Sequence, residues 1–154
     1  MERRQSTSVL VVLAAVFLLV AGFLSLVTGA LFGVFGGLVA GLETVDGAGT
    51  GLFGAAGGAV VVYGVAGIVW GILEIFAATG MLVHRRWGRV LGLASGVIGL
   101  VFTGLALVSA LGGGEPLASM GVNLVLVAGY GLTVLALVTG RGHFPGAARS
   151  SPGS

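Results

Sequence analysis

The pattern along this chain is set by where charge is missing. Residues 8–42 form a run of 35 without a charge, 50–73 a run of 24, and 90–114 and 116–140 runs of 25 each. A helix needs about 20 apolar residues to cross a hydrocarbon core of about 30 Å, so every run is long enough for one span. The pattern predicts an all-α fold, a four-transmembrane-helix bundle within residues 1–140, with spans over about 8–31, 60–83, 90–111 and 118–140. As one helix the first run would be about 52 Å long, well beyond the core, so its Gly-rich end, "GVFGGLVAGL", is expected to tilt, bend or leave the membrane. "RGHFPGAARSSPGS", residues 141–154, offers Pro, Gly and Ser but little to bury, and is read as a disordered tail.

Composition strengthens the membrane reading. At 56% hydrophobic, 8% charged and a mean hydropathy of +1.15, the 154 residues hold too little polar surface to keep a soluble domain in water. The basic start "MERR" resembles a signal peptide, but the apolar stretch behind it runs far past the usual 7–15 residues and offers no Ala-x-Ala site, so an uncleaved first helix is expected. The absence of cysteine excludes disulfides, Cys-based zinc sites and thiol nucleophiles.

Charge then orients the bundle. All seven basic groups are Arg. Arg3 and Arg4 precede the first span, Arg85, Arg86 and Arg89 fall in "HRRWGR" between the second and third, and Arg141 and Arg149 follow the fourth. The two remaining loops carry only Glu43, Asp46 and Glu115. The positive-inside rule therefore places both termini in the cytoplasm and the acidic loops outside. "HRRWGR" reads as a tight turn, with Trp87 at the headgroup level. Although the pI is 9.9, the Arg residues form no stripe on a soluble face, so no nucleic-acid partner is expected.

Glycine supplies the packing signal. The chain has 31 glycines, against a usual share of about 7%. Gly29, Gly33, Gly37 and Gly41 are four apart, as are Gly88, Gly92 and Gly96; small residues at that spacing let two helix backbones approach where lipid removes the hydrophobic drive. On the second span Gly64, Gly67, Gly71, Glu74 and Ala78 share an arc of about 80° at 100° per residue. These stripes are expected to join the helices of one bundle or to dock a second copy or another membrane protein.

Glu74 is the chemical outlier. Counted from Val83, it lies about 14 Å deep, near the middle of the core, where a charge costs about 2.5–3.5 kcal/mol. Its side chain should find a partner in protein or water. Tyr130 on the fourth span lies at the same depth and is the first expected partner, Thr103 the second; Asn123 sits near the outer surface. Trp70 and Tyr63 flank Glu74 as an aromatic stripe, which suits core or lipid-facing packing and, as an alternative, a cation pocket. His84 and His143 lie at the interface without further ligands at metal spacing. There is no phosphate loop, nucleophile elbow or paired carboxylate, so neither enzyme nor cofactor is expected.

"GILEIFAATGMLVHRRWGRVLGLASGVIGL" resembles small bacterial four-span membrane proteins of GC-rich, actinobacteria-type genomes, in which an Arg/Trp turn joins an apolar helix to a Gly/Ala-rich one. The resemblance covers about 30 residues and implies a cell-membrane location but no activity. A mid-membrane carboxylate in a small Gly-rich chain is also similar to rotary ATPase proteolipids, but their termini lie outside the cell, opposite to the Arg placement here. The reading reached is a non-catalytic structural or partner subunit in contact with lipid, with proton or cation handling through Glu74 as the alternative.

Overall fold

A computed structural model describes residues 2–46, 52–113 and 116–140, and all four elements in them are helices: α1 Glu2–Asp46, α2 Leu52–Leu82, α3 Arg86–Gly113 and α4 Leu117–Thr139. Among the described residues there is no strand. Each helix contains a stretch long and apolar enough to cross a membrane, namely Val9–Gly41, Ala56–Leu82, Arg86–Gly113 and Ala118–Thr139. The tail, with Arg141, His143 and Arg149, and Glu115 in the second acidic loop lie outside the described residues.

Helix α1 does not break at its Gly-rich end. It runs 45 residues, about 68 Å at 1.5 Å per residue. Each interior glycine costs about 1 kcal/mol of helix propensity. In lipid a break costs more, because an opened turn would leave several backbone groups with nothing to bond. With no proline before Pro116, nothing in the backbone forces an interruption. Likewise α2 already begins at Leu52 and α3 at Arg86, so the turn between them shrinks from six residues to Val83, His84 and Arg85.

That short turn has a recognisable chemistry. The Arg85 amide donates to the Gly80 carbonyl at 2.9 Å and the His84 amide to the Met81 carbonyl at 3.0 Å. These are the two bonds of a Schellman motif, and they put His84 at the left-handed position, with φ of 55°. Glycine normally takes that place because it has no Cβ to strain.

The chain divides into two compact units: Met1–Leu19 with Phe76–Ser154, and Val20–Ile75. In the first, α1 contributes Val11, Ala14, Ala15 and Leu18 at helical spacing, α2 contributes Ala77, Ala78 and Met81, and α4 contributes Tyr130, Ala136 and Leu137 to one buried cluster. Helix α3 meets this cluster with glycine. A Cβ on Gly92 would stand 2.7 Å from Met81 Sδ and 3.0 Å from a Leu137 methyl, one on Gly96 3.1 Å from Val134, and one on Gly99 2.5–2.6 Å from the Tyr130 ring. Large side chains thus fill the hollows that the glycines leave. Among these α3 glycines Gly88 makes the closest approach, against the backbone of Gly80 and Met81.

The second unit is an antiparallel pair, α1 from Val20 onward against α2 up to Ile75, joined backbone to backbone through glycine. Gly22 packs on Gly71, Gly29 on Gly64 and Gly67, and Gly36 on Gly57; a Cβ on Gly29 would stand 2.6 Å from the Gly64 carbonyl oxygen, and one on Gly36 2.7 Å from the Val61 nitrogen. On each helix the seam glycines recur every seven residues, not every four. Gly33, Gly37 and Gly41 are different: among the described residues nothing lies within 4 Å of where their Cβ would be, although the Gly33 backbone does receive Gly64. The reason is geometric. A four-residue step advances about 40° past a full turn and walks off the contact face within three steps, whereas a seven-residue step falls only about 20° short of two turns.

Candidate functional site

Glu74 lies in the second unit, at the end of the glycine seam. Its side chain is 0% exposed, which is exceptional for a carboxyl in the middle of an apolar helix. Room for it comes from the opposite helix: a Cβ on Gly22 would stand 3.0 Å from Glu74 Cβ and 3.0 Å from Ile75. Among the described residues Oε2 is a buried oxygen without a hydrogen bond, although the side chain as a whole does interact within the chain. The glycine heptad thus ends in a close helix contact on one side of Glu74.

Tyr130, the first partner expected for Glu74, is placed by the first unit. It is 5% exposed, its ring meets Phe17 edge-on at a centroid separation of 5.2 Å and an interplanar angle of 89°, and its flat side covers Gly99. Thr103, the second, donates its hydroxyl to the Gly99 carbonyl at 2.7 Å, a local bond within its own helix. Asn123 is half-buried on α4. The aromatic flank separates: Trp70 is half-buried, while Tyr63 is 75% exposed and belongs to a groove whose lining includes neither Trp70 nor Glu74.

That groove, of about 450 Å³, lies wholly on the second unit. Gly29 and Gly67 form its floor, Phe32, Val60 and Tyr63 rise around it, and Ser25 and Thr28 add two hydroxyls from α1. Sequence reasoning overlooked it, because Ser25 and Thr28 are ordinary in a transmembrane helix and become a set only when the seam brings α1 residues 25–32 level with α2 residues 60–67. The seam itself was detectable: 22, 29, 36 and 57, 64, 71 are visible as two seven-residue series.

Of the Arg residues, Arg85 and Arg86 are exposed in and after the turn, and Arg3 and Arg4 lie in the first turns of α1. Arg89 has a structural task beyond its charge. Its Nε donates to the Leu137 carbonyl at 3.1 Å, one of the last four carbonyls of α4, which have no partner inside their own helix. Among the described residues no three His, Asp or Glu side chains come together as a metal site. No known family model, curated protein or solved structure matches this chain.

Proposed function

We propose that the protein is a non-catalytic subunit of a membrane assembly, seated with both termini on the cytoplasmic side of a bacterial membrane. One observation carries this reading. Helix α1 keeps two further glycines one turn apart, Gly33 and Gly37, where among the described residues nothing lies within 4 Å of a Cβ, beside the series that it uses for its own hairpin. Two small-residue faces on one helix suit two helix partners, one within the chain and one outside it. The Arg-free, acid-bearing loops support the orientation.

The test is a comparison of Gly37→Leu with the parent chain in native membranes, using cross-linking to read assembly and melting to read fold. The reading expects loss of the cross-linked species with unchanged melting of the chain itself. Persistence of the same species in the variant would refute it.

A second reading rests on the complete burial of Glu74 at mid-span, since intramembrane carboxyls commonly serve proton or cation pathways. Here Glu74→Gln decides. An amide keeps the shape but cannot exchange a proton, so ion or proton flux in proteoliposomes would vanish with folding intact, whereas a structural carboxyl tolerates the change.

A further inference from the structure

We propose that the turn between α2 and α3 holds the phosphate of an anionic phospholipid of the surrounding membrane, with the guanidinium groups of Arg85 and Arg86 as its ligands.

Charge is the first observation. Residues 75–114 contain no acid, and their only formal charges are Arg85, Arg86 and Arg89, crowded into five positions. Arg85 and Arg89 are one turn apart, the Arg89 amide donating to the Arg85 carbonyl at 3.4 Å, so three like charges share one helix start and repel one another. An anion among them relieves that repulsion, and phosphate matches the planar, many-donor fork of arginine.

The backbone of the turn needs no arginine. Carbonyls at the end of a helix commonly draw such side chains, but here those of Thr79, Gly80 and Met81 already accept the amides of Val83, Arg85 and His84 at 3.0, 2.9 and 3.0 Å. Arg89 is committed to the end of α4 through its Nε bond to the Leu137 carbonyl. Residues 84–87 are all exposed, with Arg85 and Arg86 in the middle.

Position says which anion is at hand. The membrane-length part of α2 ends at Leu82 and that of α3 begins at Arg86, so a three-residue turn keeps the arginines within the headgroup layer. Trp87, 42% exposed, is seated on α2, where a Cβ on Gly80 would stand 2.8 Å from its ring. A tryptophan so fixed holds the turn at headgroup level. Val83 and Val90, both exposed, flank the turn with apolar surface for an acyl chain. A nucleic acid or an acidic protein would have to enter this layer to reach the arginines, whereas lipid phosphates already fill it.

The experiment compares lipids that differ only in headgroup charge. The full chain is reconstituted in nanodiscs holding equal amounts of phosphatidylglycerol and phosphatidylcholine with the same acyl chains, and released for native mass spectrometry. The parent chain should retain phosphatidylglycerol in preference. Arg85→Gln and Arg86→Gln should each lower that preference about fivefold, as expected for one arginine at a membrane surface, with melting in detergent unchanged because both side chains are exposed. The R3Q/R4Q variant removes the same charge as R85Q/R86Q from another place and should keep the parent's preference. Equal retention of the two lipids by the parent chain overturns the proposal without recourse to any variant. A loss in R3Q/R4Q as large as in R85Q/R86Q overturns it too, because the attraction would then be to overall charge and not to the turn.

Discussion

His84 occupies a left-handed backbone position that favours glycine, and it does so where three residues must reverse the chain between two membrane helices. Replacing it with glycine removes the Cβ strain and leaves both turn bonds in place, so His84→Gly should raise unfolding stability in detergent by about 0.5–1 kcal/mol. A lower melting temperature would mean that the imidazole itself contributes. Arg89 behaves oppositely, since its guanidinium donates to a carbonyl in the last turn of α4. Arg89→Met should cost about 1–2 kcal/mol and Arg89→Lys less, read by the same melts. At this scale the sequence was informative in one direction. Charge placement and depth identified Glu74 and the Arg cluster as special, because a charge in an apolar run is visible by itself. The hollows facing Met81, Leu137 and Tyr130 were not visible as such, because a glycine shows its purpose only against the side chain that fills it.

Among elements, the α1–α2 seam gives the most definite expectation. Its contacts pair residues whose numbers sum to 93: 22 with 71, 29 with 64, 36 with 57. Alanine at Gly36 or Gly57 should lower thermal stability, because either Cβ would stand 2.7 Å from a backbone nitrogen of the other helix, whereas alanine at Gly37 should not; the reverse result would reject the described packing. Leucine at Gly29 or Gly64 should collapse thermal stability, because either Cβ would meet backbone within 3 Å. Four helices and their order were readable from the charge-free runs, since span length is fixed by bilayer thickness. Helix ends were not: the start of α2 at Leu52 and of α3 at Arg86, and the continuity of α1 to Asp46, follow from backbone bonding demands that hydropathy does not express.

For the molecule as a whole, the burial pattern is that of a protein in lipid. Only 17–33% of the residues in each apolar window are buried, and bulky side chains such as Phe102, Val62 and Val108 point outward with about two thirds of their area exposed. Four apolar helices of this kind fit a multi-pass membrane protein whose outer faces meet acyl chains. Orientation is checked by reporter fusions: one inserted at residue 47 should read outside and one at the C-terminus inside, and any other combination would reject cytoplasmic termini. Repetition along the hairpin has a further effect. A rack with identical teeth meshes equally well one tooth along, and here a tooth is seven residues, about 10.5 Å of travel. Glycine therefore decides which sides of the two helices meet but is indifferent to how far one has slid along the other. The choice between neighbouring notches falls to whatever breaks the repetition. In this chain Glu74, whose Cβ nests against Gly22, would meet Gly29 one notch one way and Ala15 one notch the other, so it opposes sliding in one direction only and the short link between Asp46 and Leu52 limits the other.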